Sequence, residues 1–464
     1  MQTETSETGL SYTLSQPGSA QAFEDVVSAY LCFSRETGPK AAALIEADPE
    51  MPMALCLMGY LQKLFGSASM SAKAEASEAA LGALIAKTGA SEREMAHANA
   101  LSAWCAGRLG ETCRIWEKIL IDHPRDALAL RLAHFLHFYS GDGRRMRDSI
   151  ARVMPSWQKG DRNYGFVLGM YAFGHEESRD YATAERYGRE AVEINPEDGW
   201  SVHAVAHVLE MQERHQEGID WVTGLEPSWS KGNNFRFHII WHRALYHLER
   251  GEYDVVLGLY DDQIVSDIGS EFYLDICNAC SMLWRLEMHG VDVGDRWLVL
   301  ADVARRHTGD RDLIFVTLHY LMALVSTGDR EGTDAMMKTI AAWADDPGTQ
   351  GQITAASGLG IARAMGEIRA GAFGAAARRL TDLRYQMDHI GGSMAQRDVF
   401  EMLMLDASQK SGDPALSRSL FADRTARRPN NRWTWSRYAE TLDASGAPEQ
   451  AARARSHLAG MAAE

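Results

Sequence analysis

The sequence predicts an all-α fold, a coil of helix-turn-helix repeats with a concave groove. Three observations lead there. Apolar residues recur at spacings of three and four, the period of a helix face, and sustained alternation of period two is nearly absent. Gly, Pro or short polar turns break this pattern into helices of roughly 12 to 20 residues. A chain of 464 residues also exceeds one ordinary compact core, so it needs either several domains or a repeat array.

Taken in order, residues 1–18 are polar and aperiodic, which predicts a disordered N-terminal segment. Helical periodicity begins at residue 19, and the stretch "LGETCRIWEKILIDHPRDALAL" closes one helix on Pro124. The best-defined unit is "YGFVLGMYAFGHEESRDYATAERYGREAVEINPED". With Gly165 as its first position, Leu168, Tyr171 and Ala172 face a second helix that carries Ala184 and Ala191 and closes on Pro196. Counting again from Gly199, 34 residues later, puts Val202, Val205, Ala206 and Leu209 at the matching positions. Small residues at helix contacts on a 34-residue period are the mark of a tetratricopeptide repeat. The rhythm continues through "HRALYHLERGEYDVVLGLY" and "LHYLMALVSTGDREGTDAMM" to "RWTWSRYAETLDASGAPEQAARARSHL". The expected architecture is therefore a continuous α-solenoid of tetratricopeptide-like repeats over residues 19–464, each pair burying its apolar face on its neighbours.

Composition narrows the function classes. Hydrophobic residues at 46% and charged residues at 24% are ordinary for a globular chain. A formal net charge of -16 repels phosphate backbones and anionic lipid, so neither nucleic acid nor membrane is expected as a partner. No uncharged apolar run is long enough to span a bilayer. Six cysteines in so long a chain do not make a disulfide framework, and the first residues lack a secretory pattern; a cytoplasmic location is expected.

Helix geometry then selects candidate site residues. If Val202, Val205, Ala206 and Leu209 pack inward, Trp200, His203, His207 and Glu210 point to the groove at 100° per residue. In "FHIIWHRALYHLER", His238 and His242 are again one turn apart and fall on the same side. Glu249 continues that stripe, and adjacent helices packed about 8–10 Å apart would bring the four histidines and two glutamates, Glu210 and Glu249, to one cavity. Two imidazoles one turn apart suit a metal ion, and imidazoles that titrate near neutrality suit proton transfer. The plainer alternative is a set of hydrogen-bonded polar groups that stiffens the groove. No His-Glu-x-x-His signature is present. Further along, "LDICNACSMLWRLE" offers Asp275, Asn278 and Arg285, "VTLHYLMA" offers His319, and "GGSMAQRDVF" offers Gln396, Arg397 and Asp398 at a helix start. Cys277 and Cys280 form a lone Cys-x-x-Cys inside an apolar helix, without the preceding strand a redox pair needs, and read as buried small residues. Phosphate loops, nucleophile elbows and Ser/His/Asp sets are not found.

At "SVHAVAHVLEM", "HIIWHRALY", "CSMLWRL" and "GGSMAQRDVF", and also at "WEKILIDHP" and "MRDSIARVMPSW", the chain resembles the tetratricopeptide repeat protein 38 family from about residue 20 to about residue 410. The resemblance implies an all-helical repeat protein and carries no reaction with it. It implies that His203, His207, Glu210, His238, Trp241 and His242, with Gln396, Arg397 and Asp398, are family positions. One departure is visible: the family pattern has Asn-Asp two and three residues before the position of His319, where this chain has Val316 and Thr317. If that carboxylate takes part in chemistry, this chain lacks it.

Two functions are therefore weighed. The first is a binding protein whose His-, Glu- and Trp-lined groove, including Trp200 and Trp241, holds a small molecule or peptide. The second is an enzyme, a hydrolase or lyase of a small polar substrate. In it His203 and His207 act as base or ligands, Glu210 orients them, and His238 and His242 act as ligands or acids. Arg397 then holds an anion, with a divalent metal as the candidate cofactor. Binding comes first because most repeat arrays bind and no reaction class is readable. Oligomeric state is not encoded in any motif.

Overall fold

Paired helices run along the chain from Ser19 to Met461 in a computed structural model that describes residues 1–461. The final three residues of the predicted coil lie outside the described residues. Helix starts are fixed by short acidic side chains. Asp126, Asp142, Asp180, Asp198, Asp329 and Asp413 each accept a hydrogen bond from an amide of the following turn. The predicted 34-residue unit is present: Gly165 and Gly199 open or nearly open helices Tyr164–Glu176 and Gly199–Met211, with helix Tyr181–Ile194 between them. Its small positions are tight. A Cβ at Gly188 would come within 2.6 Å of Val205, and Ala172, Ala184 and Ala191 are wholly buried.

The helices sort into two layers. Those rich in apolar residues all round are buried on every face, as in Ala127–Tyr139, Gly199–Met211, Phe235–Glu249, Tyr273–Met288 and Ile314–Ser326. The amphipathic ones, such as Gly143–Val153 and Trp297–Arg306, bury one stripe and form the outside. One apolar core runs from Leu10 to Trp433, and a smaller cluster joins the last helix pair.

The N-terminal expectation is corrected. Residues 1–18 are not disordered: β1 (Gln2–Thr5) and β2 (Ser11–Leu14) pair antiparallel, Thr5 opposite Ser11. Leu10, Tyr12 and Leu14 alternate into the core, and the polar residues between them are anchored. The hydroxyls of Ser6, Thr8 and Tyr12 all donate to the Glu24 carboxylate, and Thr13 donates through its amide and hydroxyl to Glu94.

Segments far apart in sequence also meet one another across the coil. From the N-terminal end, the Asn233 amide donates to the Phe33 carbonyl at 2.8 Å, and Arg35 donates to the Gly232 carbonyl. At the far end, Gln350 donates to the Tyr139 carbonyl, and Gly141 lies against the Asp388 backbone. Arg428 reaches Glu210, Asn431 donates to Glu249 at 2.6 Å, and Trp433 donates to the Met288 carbonyl.

Burial pushes the Glu249 carboxyl up to about 7, with Arg428 opposing. Its unfolded value is about 4.3, so native Glu249 keeps a proton that the unfolded chain has lost. The resulting stability is present below about pH 4.3 and is lost as pH rises to about 7. Thermal melts of wild type and Glu249→Gln at pH 5 and pH 8 check this. Wild type is expected to lose more between the two than the variant, whose amide still accepts from Asn431.

Candidate functional site

His203 and His207 sit one turn apart on helix Gly199–Met211, and His238 and His242 do the same on the next inner helix, Phe235–Glu249. The four rings converge. Ring centroids are 4.3 Å apart for His203 and His207, 4.4 Å for His207 and His242, and 4.9–5.0 Å for His203 with His238 and with His242. Each ring is at least nine-tenths buried. The Nε2 atoms of His203 and His207 are 2.9 Å apart.

Surrounding side chains fix these rings. Nδ1 of His238 lies 2.8 Å from Oδ1 of Asn278, on helix Tyr273–Met288, and so donates to it. Trp241 stacks on His238 at 14° and stands edge-on to His242, with the Arg285 guanidinium 5.4 Å from its ring centre. Trp200 packs on His203, and Phe173 contacts both His203 and His207. Behind them lies an acidic pair from the end of helix Tyr164–Glu176. Oε2 of Glu176 is 3.6 Å from Nδ1 of His207, longer than a hydrogen bond, and Glu177 pairs with Arg397 at 3.4 Å.

Several of these buried atoms have no hydrogen-bond partner. They include both nitrogens of His242, Nδ1 of His203 and of His207, and both carboxylate oxygens of Glu176. Burial keeps the imidazoles neutral: it lowers His207 to about 4, His238 to about 3, and His203 and His242 well below the ordinary value. The same burial raises Glu176 to about 8 and Glu177 to about 7. His203, His207, His238 and His242 can each offer one nitrogen such that all four lie within 4.8 Å of one another, and Glu176, Glu177 and His207 form a second such set. Among the described residues, these two sets could hold a metal ion.

Above the rings is a chamber of about 360 Å³. Phe33, Phe135, Tyr139, Trp200, Phe235 and Phe315 wall it, and His203, His238 and Gln396 give its polar edge. Its mouth lies among exposed Arg35, Gly38 and Phe65. Phe33 stacks on Phe235 at a centroid distance of 4.2 Å, so residues far apart in sequence build one wall.

Other sequence candidates are engaged elsewhere. Glu210 pairs with Arg428 at 3.4 Å and makes no hydrogen bond to the imidazoles, although its charge acts on His207. Asp275 accepts from Asn234 at 2.7 Å, away from the four rings. Arg285 donates to the Ala395 carbonyl at 2.8 Å. His319 bonds the Phe315 carbonyl through Nδ1 and packs on Phe400. Gln396 closes a capping box with Ser393 and also reaches the chamber. Arg397 is held by Gly392, Glu177 and Asp388, which leaves it poorly placed as the anion holder. Asp398 is gripped by Arg424 through both oxygens, at 2.6 and 3.0 Å, and is an anchor of the fold. Cys277 and Cys280 are buried free thiols.

Sequence reading missed Glu176, Glu177, Phe33 and the buried Arg131, whose guanidinium lies 4.4 Å from the ring centres of Phe135 and of Trp200. It also missed His134, edge-on to Trp200 with both nitrogens unpartnered. "GHEES" reads as a polar helix end, and only the next repeat's packing turns its two glutamates inward.

No family model matches the chain. Solved structures similar to it include the human IFIT1 dimer with m7Gppp-AAAA, at 12% identity over 99% of this chain and 96% of that one, with a TM-score of 0.38. The human IFIT1 dimer with PPP-AAAA is 11% identical over 99% and 96%, with a TM-score of 0.41. The P58(IPK) TPR domain is 11% identical over 79% and 92%, with a TM-score of 0.22. The expected exclusion of nucleic acid from the partners is corrected by the IFIT1 complexes. A helical-repeat chain holds an oligonucleotide there, and a whole-chain net charge does not fix the charge of one cavity. The helix pairs themselves establish a tetratricopeptide-like repeat fold.

Proposed function

We propose that this chain binds a small, largely apolar or aromatic molecule with one polar end, seated in the chamber with that end toward His203, His238 and Gln396. The observation that carries this reading is the chamber itself: about 360 Å³, walled by aromatic rings, with a few convergent polar groups. An extended peptide fits less well, because the chamber has the size of a small-molecule site and is walled by rings from distant segments, Phe33 stacking on Phe235. The neutral imidazoles at the chamber's edge favour a second reading, proton transfer on the bound molecule by a hydrolase or lyase, with His203 and His238 as acceptors. Apolar walls suit a small polar substrate poorly, so binding leads. Family placement with tetratricopeptide repeat protein 38 is part of this proposal and rests on the strings around the imidazoles. A cytoplasmic location is also proposed, supported by six free cysteines.

Calorimetric titration of the full chain with 2-naphthol, an aromatic body with one hydroxyl, tests the reading. Saturable one-to-one binding is expected, weakened at least tenfold by Leu61→Trp, which fills part of the chamber at a half-buried position. Absence of saturation, or equal binding by that variant, overturns it.

A further inference from the structure

We propose that His203, His207, His238 and His242 form a binding site for one divalent transition-metal ion, zinc or a neighbour in the first row. This goes beyond the ligand-binding reading and does not rest on it.

Geometry comes first. A tetrahedral ion with metal–nitrogen distances of about 2.0–2.1 Å holds its ligand nitrogens about 3.4 Å apart and the ring centroids about 5 Å apart. Five of the six centroid spacings lie at 4.3–5.0 Å, already close to that; the sixth pair is His207 with His238. Bringing the nitrogens in from within 4.8 Å needs only small rotations of the rings. Two His-x3-His turns on adjacent helices supply the ligands, so the backbone spacing is set by packing.

Hydrogen bonding inside the protein, by contrast, does not satisfy these rings. The 2.9 Å contact between Nε2 of His203 and Nε2 of His207 uses one proton. If His207 donates it, neutral His203 carries its own proton on Nδ1, which has no acceptor. If His203 donates it, the proton on His207 Nδ1 faces Glu176 beyond bonding distance. His242 has no partner on either nitrogen. Buried polar atoms in native proteins are rarely left so. An ion at the centre would engage one nitrogen of each ring.

The surrounding groups match what imidazole ligands require. Asn278 accepts from Nδ1 of His238 and so leaves its Nε2 lone pair free. Glu176, with both oxygens unpartnered, stands behind Nδ1 of His207, as a carboxylate does behind a metal-bound histidine. Four imidazoles suit zinc, copper, nickel or iron and suit magnesium or calcium poorly. His203 and His238 border the chamber, which gives the ion its path inward.

The test uses the full chain without an affinity tag, stripped with a chelator and titrated with Co(II) at neutral pH. Visible ligand-field bands saturating at one equivalent and displaced by Zn(II) are expected, with affinity at least a hundredfold lower in His207→Ala and His242→Ala. No stoichiometric uptake of Co(II), Zn(II) or Ni(II) overturns the proposal, as does unchanged affinity in folded variants. If both variants fail to fold, X-ray absorption of Zn-loaded wild type decides. A shell of three or four imidazoles supports the site, and a shell of oxygens alone overturns it.

Discussion

Replacing Asp398 with Ala is expected to cost about 3 kcal/mol or more of stability, within the range of about 3–5 kcal/mol for breaking one side of a buried ion pair. Arg424 is wholly buried, and Asp398 takes two of its N–H groups at 2.6 and 3.0 Å. Glu401 accepts another at 2.9 Å and Thr434 a fourth at 3.0 Å, so the guanidinium keeps partial compensation. Arg428, also buried, sits 3.8 Å from the same carboxylate. Burial alone would raise the Asp398 pKa, yet the two arginines hold it well below the ordinary carboxylate range. Urea unfolding of Asp398→Ala and Asp398→Asn measures the cost. The Asn variant is expected to fall between wild type and Ala, since it keeps the shape and one acceptor without the charge. A loss below about 1 kcal/mol in the Ala variant would show that the pair contributes little net stability.

Gly141→Ala is expected to have an effect of similar size by a different route. Gly141 has φ +65°, a left-handed conformation that costs an alanine about 1 kcal/mol. Its added Cβ would also overlap the Asp388 carbonyl, which is backbone and cannot swing aside as a side chain does. This contact is where helix Ala127–Tyr139 meets the 387–392 turn, and Tyr139, Gly391 and Gly392 all line the chamber. Relief therefore requires the two segments to part. A drop in melting temperature with loss of 2-naphthol binding is expected. Limited proteolysis should cut within residues 384–392, where wild type resists. A variant that melts and binds like wild type would show that the turn shifts freely.

How far the sequence leads depends on distance along the chain. His203, His207, His238 and His242 are legible because helix period and one inter-helix contact place them, and both are local. The repeat fold is legible for the same reason, through Gly165, Gly199 and the small residues between. Closure of the coil is not. Gly141 with Asp388, or Glu249 with Asn431, are partners separated by well over a hundred residues, and no period connects them. Phe33 belongs to the same class: nothing in "YLCFSRE" shows that its ring will lie on Phe235. Leu10, Tyr12 and Leu14 do alternate, but one four-residue strand among many polar neighbours is too short to stand out. Asp398 reads from sequence as one of three polar residues at a helix start, and its role depends on Arg424 one helix later.

The Phe33 turn has a kinetic consequence. It is fastened by two backbone acceptors, the Phe33 and Gly232 carbonyls, and by ring stacking rather than by a covalent tie. For a guest of the kind proposed, opening of that fastening would widen the route already present at the mouth beside Arg35, Gly38 and Phe65, so local breathing of the N-terminal segment would enter its residence time alongside the strength of its own contacts. Weakening the fastening speeds arrival and departure together and leaves the equilibrium nearly where it was.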